Sequence, residues 1–301
     1  VVFFMQLSPI FSGLAAVLYK KINKVPLVTW VQDIWPESLS ATGQITNRYA
    51  LYAVGKFVNF VYDNSDLILI QSENFRKSVE SRCSNSSNIK YLPNWADDIF
   101  LIDSKSDSTF YTKIPMVFDF VFAGNVGDAQ DLKTIINAVL KLKNIDGFRF
   151  VIIGDGRAKL HAQNMVDSLG LSKKIIFLGA HAIKFMPSVF SKADALVVSL
   201  LDKEIFSNTI PSKVQAYLAS GRPILASLGG AGASVILKSG AGLLSEPSNS
   251  DMLAEKIKLF LGMSTKDLNM MGESGKLYYK NNFEKNMLRN KLISFLNDEA
   301  K

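Results

Sequence analysis

The sequence predicts an α/β protein made of two doubly wound parallel sheets. Three observations carry this. Short apolar runs of strand length alternate with amphipathic runs of helix length along the whole chain. The strand-like runs are apolar throughout, as strands covered on both faces are. A polar stretch, Asp103 to Pro115 (DSKSDSTFYTKIP), divides the pattern in two.

The elements follow in order. The first half reads VVFFMQLS as a strand, PIFSGLAAVLYKKIN as a helix and VPLVTWVQ as a strand. After a loop, NRYALYAVGKFVNFVYDNS is a helix, DLILIQS a strand, ENFRKSVESR a helix and IKYLP a strand. The second half supplies six strands: FDFVFAG, FRFVIIG, KIIFLG, DALVVSL, RPILASL from Arg222, and AGLLS. Helices lie between them, and three more close the chain near Asp251–Met263, Lys266–Lys276 and Glu284–Asn297. Six strands in this alternation make a complete doubly wound domain. The first half gives about four, and the chain runs straight from Val1-Val2 into a strand. The first domain is therefore expected to be incomplete at its N-terminal side. The expected organisation is a first domain over 1–105, a second over 106–280, and a closing helix over 281–301 that packs back on the first.

Composition narrows the function. The chain has 301 residues, 48% of them hydrophobic, enough for two cores. Its net charge of +7 is dispersed, apart from small groups such as YKKINK and LSKK. Dispersed positive charge suits a phosphate-bearing small molecule or an anionic membrane face. No basic stripe with interleaved aromatics is present, so no nucleic-acid partner is expected. The single cysteine, Cys83, forbids an internal disulfide and fits a reducing, cytoplasmic setting. His161 and His181 lie apart with no cysteine near, so no metal site is expected. No apolar run approaches the roughly 20 residues that span a bilayer.

In open α/β sheets ligands gather at the carboxyl ends of strands, where helix N-termini offer free N–H groups and a positive dipole. After FVFAG comes NVGDAQDLK, where Gly124 and Gly127 permit close backbone approach and Asn125 and Asp128 suit a helix cap. An ordinary strand–helix turn has the same composition. After FVIIG comes DGRAK: Gly-Asp-Gly opens a helix, but the rest of a dinucleotide fingerprint is missing. Arg157 and Lys159 there suit either a phosphate or solvent. The loop AHAIKFMPSVFSKAD suits a flat base held by backbone groups, with His181 at its rim.

The most informative segment is SNTIPSKVQAYLASGRPILAS. Ser207, Thr209 and Ser212 surround a helix start, and Lys213 lies in its first turn. A cation there opposes the helix dipole. A phosphate ligand resolves that conflict; a lysine pointing to solvent avoids it. Gln215 sits one turn in, where a side-chain amide suits ribose hydroxyls. Together these features indicate a nucleoside diphosphate site in the second domain. No P-loop is present, which disfavours ATPase-type chemistry.

Taken jointly, YLPNWAD, FAGNVG, VIIGDG, MPSVFSKADALVVSL and AYLASGRPILA resemble glycosyltransferase family 4, across nearly the whole chain. The resemblance implies the GT-B fold of two Rossmann-like domains. VQDIWPESL and TIPSKVQAYLASGRPI resemble a narrower group, the N-acetyl-L-fucosamine transferases of O-antigen and capsule synthesis. The family's paired glutamates fall on Ser207 and Gln215, neither acidic, and the usual lysine after the first strand of the second domain is replaced by Gln130-Asp131. By resemblance Gln215 takes the ribose position, and Ser212 and Lys213 lie near the diphosphate. Gln32 occupies a histidine position of the family and Asp33 follows it, as acceptor-orienting group or base. A turn aspartate before Pro36 fits that position equally well.

The resemblance implies a UDP-sugar donor and no metal. It implies retention of configuration and an undecaprenyl-diphosphate-linked saccharide acceptor. It also implies a place on the cytoplasmic face of the inner membrane, where PIFSGLAAVLYKKINK rests on anionic lipid or packs in the core with a solvated basic end. A UDP-sugar 2-epimerase of the same architecture and an inactive nucleotide-binding fragment stand as alternatives, with a dinucleotide dehydrogenase behind them.

Overall fold

The computed structural model describes all residues except 8–9, 42–44, 86 and 102–108. By its contacts the chain divides into two compact units. The first comprises Val1–Asn94, Lys203–Ile210 and Lys285–Lys301; the second comprises Trp95–Asp202 and Pro211–Glu284. The boundary expected at 105/106 lies outside the described residues.

The first unit opens with β1 (Val2–Gln6), α1 (Gly13–Asn23), β2 (Leu27–Val31), α2 (Glu37–Ala41) and α3 (Arg48–Asp63). It continues with β3 (Leu67–Ile70), α4 (Arg76–Glu80) and β4 (Ile89–Tyr91). The four strands form one parallel sheet in the order β1-β2-β3-β4. β2 and β3 are buried at every position, which is why they read as unbroken apolar runs. Asn47 starts α3 by accepting hydrogen bonds from the amides of Tyr49 and Ala50. The segment ENFRKSVESR forms a 3₁₀ turn at Glu73–Phe75 before α4.

The second unit runs β5 (Phe118–Ala123), α5 (Leu132–Lys141), β6 (Phe148–Ile153), α6 (Lys159–Ser168), β7 (Ile175–Gly179), α7 (Met186–Lys192) and β8 (Ala195–Ser199). The chain then contributes α8 (Glu204–Ser207) to the first unit, where Ile205 joins the apolar core. The second unit resumes with α9 (Ser212–Ser220), β9 (Ile224–Ser227), α10 (Gly230–Ser239), β10 (Gly242–Ser245), α11 (Ser250–Leu261) and α12 (Thr265–Asn282). The last helix, α13 (Lys285–Glu299), belongs to the first unit, where Lys90 Nζ lies 4.8 Å from the Phe295 ring.

All six strands of the second sheet are parallel, in the order β10-β9-β8-β5-β6-β7. β9 begins at Ile224, not Arg222, because Pro223 has no N–H to donate; its carbonyl still accepts from Leu196 N at 2.8 Å. Phe120 stacks on Phe150 at 4.8 Å in the core of this unit. At the amino end of the sheet, Arg149 Nε donates to buried Asp119 Oδ1 at 2.7 Å and Tyr111 OH donates to Asp119 Oδ2 at 2.7 Å. That pairing satisfies a carboxylate that burial alone would make costly.

Candidate nucleotide site at the carboxyl edge of the second sheet

The strand order sets the place. Strands proceed outward from β5 in one direction and from β8 in the other, so the topological switch lies between these two neighbours. The crevice at their carboxyl ends is where such sheets take ligands.

The loop after β5 is zipped to the loop after β6. Gly124 N donates to Ile153 O at 2.8 Å, Val126 N to Asp155 O at 2.8 Å, and Ala158 N to Val126 O at 3.1 Å. This approach explains the Gly-Asp-Gly turn. Gly154 and Gly156 have φ of +149° and +155°. A Cβ on Gly154 would overlap the Gly124 carbonyl, and one on Gly156 the Val126 carbonyl. The two glycines serve loop-to-loop contact and not a dinucleotide fingerprint.

The helix expected at Ser212 begins there and ends at Gly221, in the left-handed conformation with φ +67°. No side chain caps its N-terminus, and Ser212 is exposed. Lys213 folds across Gly124: a Cβ on that glycine would lie 2.7 Å from Lys213 Cε and 3.0 Å from Nζ. The ammonium sits 4.8 Å from the centre of the Phe122 ring. No carboxylate of the described residues pairs with it within 4.0 Å. Burial therefore lowers its pKa from 10.5 to about 8. One turn on, the Tyr217 hydroxyl accepts from Ala123 N at 3.2 Å and donates to Ala123 O at 3.3 Å, pinning α9 to the end of β5.

These groups border a cavity of about 630 Å³. Of the residues expected at the site, Gly124, Asn125, Ser212 and Lys213 line it, with His181 at the loop after β7. Its volume falls in the range of small-molecule sites. Among the described residues Val214 N donates to Pro211 O at 2.8 Å, which leaves the Ser212 and Lys213 amides at the start of α9; with a half-buried cation and a glycine floor they suit an anionic group such as a diphosphate.

The other expected residues lie elsewhere. Gly127 is buried and its N–H donates to Gln130 Oε1 at 2.9 Å, so it packs the turn. Arg157 is exposed and pairs with Asp128 at 2.6 Å. Gln215 does not line the cavity. Two residues past Lys213 it points roughly 200° around the helix, into the interior, while Lys213 and Tyr217 share the cavity face. Gln215 is 1% exposed and both its amide atoms lack a partner. Ser207 and Thr209 belong to the segment grouped with the first unit, where Ser207 O accepts from Asn74 Nδ2 at 3.2 Å.

In the first unit Gln32 and Asp33 stand at the carboxyl end of β2. Gln32 Oε1 accepts from Asn94 Nδ2 at 2.8 Å, and Asp33 Oδ2 accepts from Trp35 Nε1 at 3.2 Å. Glu37 is tied to Arg82. Trp95, Phe100, Phe190 and Tyr217 line the cavity without having been singled out in the sequence. Tyr217 was within reach of a periodicity argument, being four residues past Lys213 on a helix. Among the described residues, no three His, Cys, Asp or Glu side chains converge to hold a metal ion.

The model of the family described as glycosyl transferases group 1 matches residues 106–278, more than half of the chain. The chain belongs to this family. As a glycosyl transferases group 1 member it is 24% identical over 209 residues to the probable glycosyltransferase WbjE of Pseudomonas aeruginosa, covering 66% of this chain and 50% of that protein. It is 23% identical over 155 residues to the putative colanic acid biosynthesis glycosyl transferase WcaI of Escherichia coli K12, covering 48% and 36%. The chain thus spans half or less of the length of these two relatives. Its fold is that of the crystal structure of Anabaena Alr3699/HepE in complex with UDP, at a TM-score of 0.77 and 16% identity over 95% of this chain and 76% of that one. The two parallel-sheet units are those of the GT-B fold.

Proposed function

We propose that this chain is the working part of a UDP-sugar glycosyltransferase that extends a lipid-diphosphate-linked saccharide. The observation that carries the reading is Lys213, a half-buried ammonium with no carboxylate partner among the described residues, held over Gly124 at the mouth of α9. The UDP bound to the Anabaena structure and the polysaccharide role in the name of the E. coli relative support the same class.

In the proposed reaction the acceptor hydroxyl oxygen bonds to the anomeric carbon of the donor. The bond from that carbon to the diphosphate oxygen breaks, and its electron pair leaves with UDP. Lys213 and the first-turn amides of α9 stabilise the departing charge. The acceptor proton passes to the leaving diphosphate. Configuration is retained. N-acetyl-L-fucosamine is the donor sugar of this reading, and an undecaprenyl-diphosphate-linked saccharide the acceptor.

The reading includes a seat on the cytoplasmic face of the inner membrane. Leu14, Leu18 and Ile22 recur along one stripe of α1 and are exposed, while the helix buries only Gly13 and Val17. Lys21 and Lys24 flank the stripe, a combination suited to an anionic lipid surface. No described helix is long and apolar enough to cross a membrane.

The test is turnover. The chain is incubated with UDP-N-acetyl-L-fucosamine and a lipid-diphosphate-linked monosaccharide, and UDP release and acceptor extension are followed. Extension with one UDP per product supports the reading; UDP-sugar consumed without acceptor, giving a free sugar or an epimer, contradicts it. Because protein cations stabilise the leaving group, turnover is expected to survive 5 mM EDTA with less than about a twofold change.

A further inference from the structure

The amino edge of the second sheet holds another cavity, of about 390 Å³, that glycosyl transfer does not use. β6 runs between the two. Phe148 and Arg149 at its start line this cavity, and Ile153 at its end lines the nucleotide cavity. Six residues of strand set them roughly 20 Å apart.

The walls carry four cations, Lys143, Arg149, Lys173 and Lys174, against one carboxylate, Asp146. Two of these cations come from the LSKK segment, whose charge the nucleotide site leaves unexplained. Lys174 is already engaged. Its Nζ donates to Ile145 O, lies 3.7 Å from Asp146 Oδ1 and sits 4.6 Å from the centre of the Phe148 ring. Lys143 and Lys173 are exposed, and neither pairs with a carboxylate among the described residues.

Arg149 is held differently. It is only 9% exposed. Its guanidinium is a rigid plane with five N–H donors. Nε and Nη2 meet the Asp119 carboxylate at 2.7 and 3.0 Å, and Nη2 also donates to Thr112 O at 2.7 Å. Nη1 lies on the edge turned away from Asp119. It donates to nothing among the described residues and is not enclosed. A buried, fixed guanidinium thus keeps one edge unspent on a residue that lines the cavity. Lys143, on the loop before β6, and Lys173, on the loop before β7, add two mobile ammonium groups. Apolar side chains such as Leu171 and Ile176 make up much of the remaining wall.

We propose that this cavity is a second anion site, which binds a phosphate group as the free ion or as a small monoester. The oxygens of a phosphate dianion point several ways and accept from the Arg149 edge and both lysines together. A carboxylate has two oxygens in one plane and serves fewer of these donors. The apolar wall leaves room for an organic body beside the charge. This site is independent of the UDP-sugar reading.

The test is calorimetric titration of the whole chain carrying Lys213→Met, so that the nucleotide site does not contribute. The probes are phenyl phosphate, inorganic phosphate and benzoate. Phenyl phosphate is expected to bind at one site. Lys143→Gln with Lys173→Gln is expected to weaken it about tenfold, about threefold for each lysine. Both lysines are exposed, so the Asp119–Arg149 pairing stays intact, which circular dichroism checks. Inorganic phosphate bound as tightly as phenyl phosphate assigns the site to the free ion; tighter phenyl phosphate assigns it to a monoester. Phenyl phosphate binding that ignores the double substitution, benzoate bound as tightly, or no binding of either phosphate by a folded chain overturns the site. With Lys213 intact, the double variant is expected to keep UDP affinity within about twofold, as separated sites do.

Discussion

In the proposed site Lys213 concentrates the chemistry into one side chain. It occupies a first helical turn, where the dipole disfavours it, and a half-buried place, where solvation is lost. Lys213→Met is expected to weaken UDP binding roughly 10- to 100-fold, the worth of one hydrogen bond to a charged group, about 1.5–3 kcal/mol. The pH dependence follows from the lowered pKa. The folded state holds the Lys213 proton less tightly than the unfolded chain, about 8 against 10.5. The unfolded state therefore binds more protons between these values, and the ligand-free protein gains stability as pH rises from about 8 towards 10.5. A bound diphosphate favours the charged form. UDP binding at pH 8 is thus expected to take up about half a proton and to weaken as pH rises further. Titrations in buffers of different ionisation enthalpy measure the uptake; an uptake that persists in Lys213→Met assigns it to another group. Lys213 was legible in the sequence because it breaks a local rule. The inward face of Gln215 was not legible, because a position one turn into a helix does not say which face it occupies.

At the scale of elements, the site is a contact between loops. The turn after β5 and the turn after β6 approach so closely that only glycine fits at 154. Gly154→Ala is expected to cost more than about 2 kcal/mol in chemical denaturation, from a disfavoured φ and a backbone overlap. It is also expected to weaken UDP binding, because Gly124 forms the floor beneath Lys213. A variant as stable as the parent would show that the two loops are not packed as described. The alternation of strands and helices was readable because buried parallel strands are apolar runs and their covering helices are amphipathic. The strand order was not readable, since no periodicity states which strand lies beside which. The switch between β5 and β8, which locates the cavity, emerged only in three dimensions. The same holds for the Asn94–Gln32 hydrogen bond, whose partners lie 62 residues apart in the chain.

At the scale of the whole molecule, the chain makes two α/β units and assigns its segments to them out of order. Residues 203–210 and 285–301 group with the first unit although they follow most of the second. Nothing in the composition of EIFSNTI marks it as different from the helix after it. Only the burial of Ile205 in the first core does. The same unit presents the Leu14, Leu18 and Ile22 stripe. Co-sedimentation with vesicles containing about 30% anionic phospholipid is expected to retain the chain at low salt. Leu18→Glu with Ile22→Glu is expected to release it without a change in UDP affinity. Equal sedimentation of the double variant would remove the membrane face from the account.

The most direct measurement is a calorimetric titration of the unaltered chain with UDP, repeated with Lys213→Met. Saturable binding with one site per chain is expected, with a loss of at least about tenfold in the variant. Binding that ignores the substitution, or no binding by a folded chain, would contradict the claim that Lys213 over Gly124 is a nucleoside diphosphate site.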